Sequence, residues 1–260
     1  FPAEVLDEAE RSSAHPVLPS RDCTDIEFVT IDPAGSTDLD QAFHLSRVGS
    51  GYLLRYAIAD VAAFVTPGGL VDAEAQRRGE TLYAATSRTP LHPAVLSEGA
   101  TSLLPGQVRP ALIWELQLDE SGRTTAARVE RGLVRSRAQL TYTGAQADLD
   151  AGRGGEQLEL LRVIGQLRLA LEAARGGVSL RVPEQEVAAT DLAWELEYRA
   201  PLAVEDWNAQ LSLATGMAAA DLMLEAGVGI LRTLPPARDS SLAKLRRTAA
   251  ALGITWRQSM

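Results

Sequence analysis

Three aspartates stand within nine residues in Thr30-Ile-Asp32-Pro-Ala-Gly-Ser-Thr-Asp38-Leu-Asp40-Gln41, a Gly/Ser/Thr loop directly after an apolar stretch. Asp38 and Asp40 are two apart, so in an extended segment their side chains point the same way. Two carboxylates about 4 Å apart repel by about 4 kcal/mol at an effective dielectric of 20. A loop that folds them together therefore needs a cation or a proton. Mg²⁺ suits such a cluster, because it takes hard oxygen ligands and keeps positions for water and substrate phosphate. The spacing accommodates equally a solvated acidic loop that caps local backbone. The Asp-x-Asp-x-Asp-Gly…Glu run of a calcium loop is missing.

The basic residues are almost all arginine: Lys244 is the single lysine among 25 Lys and Arg. A GC-rich genome suffices to explain that bias, which permits bidentate phosphate contacts without demonstrating them. Arg128, Arg131, Arg135 and Arg137 form the densest run, with Tyr142 following. In a strand, Arg131, Arg135 and Arg137 share one face, either a wall that tracks phosphates or a solvated face paired to Glu130. Arg77, Arg78 and Arg88 surround Tyr83, whereas Arg246 and Arg247 read as the polar face of a late helix. His15, His44 and His92 lack metal-ligand spacing and read as structural or exposed, and Cys23 has no context for a reactive thiolate. Gly-x-Ser-x-Gly, Walker A and Gly-x-Gly-x-x-Gly motifs are absent. Asn208 and Gln210 open a long helix without a residue-level warrant for a role.

The elements that must position these groups follow from periodicity. Ile26–Ile31 reads as a buried strand ending at Asp32-Pro33, and Ala42–Val48 and Tyr52–Ile58 as a hairpin turning at Ser50-Gly51. Val71–Gly79 reads as a short helix. Ala111–Leu118 and Thr125–Val134 form a second hairpin across Asp119-Glu-Ser-Gly122. Glu156–Arg175 is an amphipathic helix stopped by Gly176-Gly177. Val178–Val187 and Trp194–Tyr198 read as a strand pair, Val204–Ala226 as a long buried helix, and Ser240–Leu252 as a last amphipathic one. Residues 1–25 read as a weakly structured lead-in. Strands dominate the first half and helices the second, which predicts an α+β (mixed α/β) domain with a mixed sheet.

At 260 residues the chain buries about three quarters of its unfolded surface without a staple. The 46% apolar and 23% charged fractions argue against disorder. A net charge of −9 argues against a protein that coats nucleic acid by bulk charge, though not against an enzyme with one basic channel. The single cysteine, the lack of any 18-residue apolar run and an acidic start without signal-peptide features predict a soluble, cytoplasmic protein.

Ile31-Asp32-Pro-x-x-Ser-Thr-Asp38-Leu-Asp40, followed by Tyr56-Ala-Ile-Ala-Asp60-Val-Ala, resembles the catalytic (RNB) domain of the ribonuclease II and ribonuclease R family. The resemblance continues through Arg78-Gly-x-Thr-Leu-Tyr83, Leu91-His-Pro-x-Val-Leu-Ser-Glu98 and Ser102-Leu-Leu-Pro-Gly-x-x-Arg109-Pro-Ala. It is weaker in Arg135-Ser-Arg-Ala-x-Leu-Thr-Tyr142 and Gly229-Ile, and it spans roughly residues 25 to 250. It implies one RNB-like domain over 26–260 and processive hydrolysis of single-stranded RNA from the 3′ end to nucleoside 5′-monophosphates with Mg²⁺. Asp32, Asp38 and Asp40 then match three of the family's four metal-site aspartates and carry catalysis. Tyr83 matches the tyrosine that packs on the terminal nucleotide, and Tyr142 another RNA-contacting tyrosine. Arg78, Arg88, Arg135 and Arg137 are the accompanying candidates for RNA contact.

The sequence departs from the family pattern in three places. Gln41 occupies the fourth aspartate position and offers a neutral oxygen. Leu180 stands where a base-stacking aromatic is expected. The late Ser-Pro-x-Arg-Arg-Tyr motif is missing, so a C-terminally truncated domain is expected. A catalytically impaired RNA-binding protein on the same fold is the alternative these departures leave.

Overall fold

A computed structural model describes residues 1–189, 193–233 and 235–256. Its elements in chain order are α1 (Ala3–Ala14), β1 (Phe28–Asp32), β2 (Gln41–Val48), β3 (Gly51–Ala59), α2 (Leu70–Arg78), β4 (Leu82–Tyr83), β5 (Arg88–Thr89), β6 (Val108–Leu118) and β7 (Thr124–Thr141). They continue as α3 (Tyr142–Asp150), α4 (Gly155–Ala174), β8 (Glu184–Ala189), β9 (Trp194–Arg199), α5 (Ala203–Ala226) and α6 (Asp239–Ala251). Two compact units divide the chain, Phe1–Ala219 and Ala220–Met260.

In the first unit, β1-β2-β3-β6-β7 close into a barrel. β2, β3, β6 and β7 pair antiparallel in sequence, and β1 closes the barrel antiparallel to β2 and parallel to β7. The sheet is thus mixed, as the sequence predicts. β3 is buried on both faces and reads as a nearly continuous apolar run, whereas Thr124–Arg131 of β7 has no buried residue. Leu54 and Tyr56 of β3 join Phe43, Leu45 and Leu116 under α4 and α5, against Leu161, Ile164 and Leu211. The alternate positions Ala57 and Ala59 face Phe28, Leu39, Ala42, Ala111 and Val134. Where α4 meets α5, Gly165 lies so close to Trp207 that a Cβ there would collide with the indole side chain.

The sequence expectations fail in four places. Residues 1–25 are a weakly structured lead-in only after Ala14: before it, α1 buries Val5 and Ala9 against Phe64, Val71 and Leu96, and the Glu8 carboxylate accepts from the Leu70 and Val71 amides that open α2. An anion there satisfies orphan amides and suits the helix dipole. β7 runs seven residues beyond Val134, because its later part leaves β6 and pairs with β1 from Ser136↔Phe28 to Thr141↔Asp32. α3 was unanticipated; Thr141 caps it by accepting from the Gly144 amide at 3.1 Å. Finally, the strand expected over Val178–Val187 starts only at Glu184, after Pro183, whose missing N–H cannot join a ladder.

The second unit holds the last turns of α5 and the amphipathic α6, with Arg246 over the Trp256 ring at 5.7 Å. Positions 257–260, included in the expected 26–260 domain, lie outside the described residues.

Candidate active site

The aspartate loop joins the end of β1 to the start of β2. Gly35, at φ +83°, supplies the turn that reverses the chain after Pro33. From there the backbone at Ser36, Thr37, Leu39 and Asp40 is tied to neighbouring elements. The Ser36 carbonyl accepts from Gln139 Nε2 of β7 at 2.8 Å. The Ser102 hydroxyl donates to the Thr37 carbonyl at 2.7 Å and accepts from the Leu39 amide at 2.9 Å. The Leu39 carbonyl accepts from the Leu103 amide, and the Asp40 carbonyl from the Ala59 amide, each at 2.9 Å. The Leu39 side chain is fully buried among Phe28, Ala42 and Ala57, so Asp38 and Asp40 on either side of it project the other way. The Ser102-Leu-Leu-Pro-Gly motif is thus the clamp for this loop. Arg109 in turn holds that motif, donating from Nε to the Ser102 carbonyl at 3.2 Å and from Nη2 to the Gly99 carbonyl at 3.1 Å.

Two cavities meet at this loop. Asp32, Asp38, Asp40, Gln41, Tyr56, Tyr142 and Asn208 line one of about 190 Å³. The other, of about 400 Å³, shares Asp38, Asp40 and Gln41 as its wall and adds Thr81, Tyr83, Arg88 and His92. The carboxylates feel one another. Asp32 is pushed up to about 6 by burial and then by the charges of Asp40 and Asp38, and burial followed by Asp38 raises Asp40 as well. Behind them the Tyr56 hydroxyl donates to Gln41 Oε1, and burial pushes that phenol up to about 12. Asn208 Nδ2 donates to the Tyr142 hydroxyl at 3.1 Å, and burial followed by Asp32 raises Tyr142 too. Both tyrosines remain protonated at neutral pH, and Tyr142, as an acceptor from Asn208, keeps its own proton to donate.

The donor set is that of a hard divalent cation: three carboxylates and an amide oxygen around one cavity, with the repulsion among them felt at the burial-raised carboxyls of Asp32 and Asp40. It is not closed. Among the described residues no three His, Cys, Asp or Glu converge closely enough to hold a metal as they stand. Asp38 explains this in part, because its Oδ2 accepts from Arg88 Nη1 at 2.6 Å. In chemical type the residues fit Mg²⁺; in arrangement they require Asp38 to change partner.

Tyr83 and Arg88 are cross-strand partners in the two-residue hairpin β4–β5, closed by the Ala84 amide on the Ser87 carbonyl at 2.8 Å. Tyr83 is 75% exposed over the larger cavity. The other arginine candidates lie elsewhere. Arg78 binds Glu74 at 2.7 Å and the Pro90 carbonyl at 3.1 Å and stacks on Phe1, so it supports the hairpin's base. Arg137 donates to the Thr24 carbonyl at 2.9 Å, and Arg131 pairs with buried Asp60 at 2.6 Å. Arg78, Arg135 and Arg137 line neither cavity. Sequence reasoning missed Tyr56, Glu98 and His92, although all three lie inside the motifs that carried the resemblance. Burial lowers His92, leaving it neutral at the cavity wall.

Comparison with known proteins identifies the family and the fold. Residues 20–258 match the model of the RNB domain. The chain is 36% identical over 155 residues to Ribonuclease R of Acidithiobacillus ferrooxidans, covering 57% of this chain and 35% of that protein. It is 30% identical over 240 residues to the exosome complex exonuclease RRP44 homolog A of Arabidopsis thaliana, covering 87% of this chain and 25% of that protein. It therefore spans about a third or less of these relatives. The fold matches Mycoplasma genitalium RNase R in complex with ribose methylated single-stranded RNA, with a TM-score of 0.88 at 22% identity over 98% of this chain and 43% of that one. It also matches yeast Ssd1, a pseudonuclease, with a TM-score of 0.54 at 21% identity over 61% of this chain and 21% of that one. No described helix is long and apolar enough to cross a membrane.

Proposed function

Since the chain belongs to the RNB-domain family of exoribonucleases, we propose that it shortens single-stranded RNA from the 3′ end, releasing nucleoside 5′-monophosphates by attack of water on the terminal phosphodiester. Mg²⁺ is the proposed cofactor and the cytoplasm the proposed setting. The carrying observation is the shared wall. Asp38, Asp40 and Gln41 line both the carboxylate cavity and the larger one under Tyr83, so a nucleotide seated in the second has its phosphate at the edge of the first. A volume of about 400 Å³ suits a small-molecule site.

Asp32, Asp38 and Asp40 would hold Mg²⁺, with Gln41 as a neutral corner. When bound, the cation neutralises phosphoryl charge and makes its water a better nucleophile. The chain's own residues do the rest. Tyr83 stacks on the terminal base, Tyr142 donates its hydroxyl proton to a phosphate oxygen, and Arg88 offers a bidentate guanidinium at the wall. Arg78, Arg135 and Arg137, away from both cavities, would contact RNA only further along the backbone.

Replacing Asp40 by Asn is the test. Hydrolysis of end-labelled single-stranded RNA with Mg²⁺ should fall by more than about a hundredfold, while gel-shift affinity stays near wild type. Retained hydrolysis refutes the site. A wild-type chain that binds RNA without cutting it would instead support the non-catalytic reading, which Gln41 and the likeness to a pseudonuclease favour.

A further inference from the structure

The Arg88 ion pair joins the two halves of the site. Its fork spans two carboxylates, Nη1 on Asp38 Oδ2 at 2.6 Å and Nη2 on Glu98 Oε1 at 2.7 Å. Glu98 is itself tied to the aspartate loop, because Thr37 Oγ1 donates to its Oε2 at 3.2 Å. We propose that Arg88 is a displaceable latch. It occupies Asp38 in the metal-free chain, gives up that oxygen to a divalent cation, and is then retained at the cavity wall by Glu98, where an RNA phosphate is its next anion. The inference rests on the Mg²⁺ corner proposed above.

The physical case has three parts. Arg88, Asp38 and Glu98 are each about one third exposed (34%, 32% and 34%), so neither pair is locked in by burial, and exposed pairs are individually weak. A divalent cation that takes Asp38 Oδ2 repels the guanidinium on that oxygen, so cation and Arg88 compete for it. Arg88 is also the cross-strand partner of Tyr83 in a hairpin of two-residue strands, so the latch ties the stacking tyrosine to the aspartate loop. Isolated hairpins of this length are not stable alone. Release of Asp38 therefore loosens the hairpin, and the phosphate of a bound nucleotide restores an anion to Arg88.

Calorimetric titration of the full chain with Mg²⁺ alone, at low salt, tests this. Arg88→Gln should bind Mg²⁺ about 3–10-fold more tightly than wild type, with Arg153→Gln as the control for lost charge. Arg153 pairs with Asp148 on the surface. Glu98→Gln should weaken Mg²⁺ about 2–5-fold by driving Arg88 onto Asp38, and that loss should vanish in the Arg88→Gln background. Hydrogen exchange at the Ala84 amide should quicken with Mg²⁺ in wild type and be fast with or without Mg²⁺ in Arg88→Gln. The latch is overturned if Arg88→Gln gains no more than Arg153→Gln, if the Glu98→Gln loss persists in the double variant, or if Mg²⁺ leaves the wild-type hairpin unchanged. Absence of Mg²⁺ binding to wild type, or unchanged binding in Asp40→Asn, instead overturns the metal corner itself and the latch with it.

Discussion

Replacing Asp32 by Asn tests the electrostatics of the carboxylate corner with no RNA present. The Asp32 carboxyl is raised from 3.8 to about 6 by burial and by the charges of Asp40 and Asp38, and no hydrogen bond contributes to holding it ionised. An acid whose folded pKa lies above its unfolded one binds its proton more tightly in the folded state. Its ionised form therefore penalises folding. The penalty is fully present above about pH 6 and is relieved as pH falls through 6 towards 4. A shift of about two pKa units corresponds to roughly 3 kcal/mol. Asp32 keeps contact with solvent, so we halve this to about 1.5 kcal/mol. Asn has nearly the same shape without the charge. The Mg²⁺-free variant should melt about 3–6 °C above wild type near pH 7.5, and the gap should close as pH approaches about 4. Mg²⁺ should raise the melting point of wild type more than that of the variant. Scanning calorimetry in chelator and in Mg²⁺ across this range reads both effects. A variant that melts at or below wild type near pH 7.5, or a gap that persists near pH 4, refutes the reasoning.

Tyr83→Ala should cost about 1–3 kcal/mol of single-stranded RNA affinity by fluorescence anisotropy and leave the salt slope, about −0.7 per contacted phosphate, unchanged. Unaltered affinity removes Tyr83 from the site. Gln41→Asp should tighten Mg²⁺ and destabilise the metal-free protein near neutral pH, because the added carboxylate still accepts from Tyr56 but joins three like charges. Calorimetric titration showing equal Mg²⁺ affinity would place residue 41 off the metal. Gly165→Ala should cost about 1–3 kcal/mol in denaturant unfolding, since the new Cβ meets the Trp207 side chain. Unchanged stability would mean that α4 and α5 do not approach as closely as described.

The sequence carried the strands well because β1, β3 and most of β6 are apolar runs packed into the barrel and bounded by turns. Asp119 shows how local chemistry makes such a turn readable, since its carboxylate accepts from the Ser121 and Arg123 amides at 2.9 Å each. α1 escaped because its apolar content is slight: Val5 and Ala9 suffice, against partners more than fifty residues away. The aspartate cluster stood out by residue type and spacing, which left a metal site and a solvated acidic loop equally open until the family resemblance was added. The clamp on it was not, because Ser102 acts across 63 residues on Leu39 and nothing local marks a serine as a hub. The arginines show the same limit. Composition could not separate Arg88, which reaches the carboxylates, from Arg78, which is spent on Glu74, Pro90 and Phe1.

The two halves of the site differ mechanically, and the difference follows from how each is held. The aspartate loop has its backbone bonded at Ser36, Thr37, Leu39 and Asp40 and its central side chain fully buried. Such a loop keeps its backbone in place whether or not a ligand is present, so that a change of partner at Asp38 is confined to the side chain. The Tyr83 hairpin has four residues in strands, one backbone bond across its turn and a tyrosine 75% exposed. Elements with so few buried contacts lie at the low-stability end of a fold, from which moving parts are drawn. The 3′-end shortening of RNA proposed above needs both properties: a fixed place for chemistry, and a stacking contact weak enough to be remade after every nucleotide. Stiffening the hairpin would then slow translocation before it touched cleavage, whereas loosening the Ser102 clamp would do the reverse.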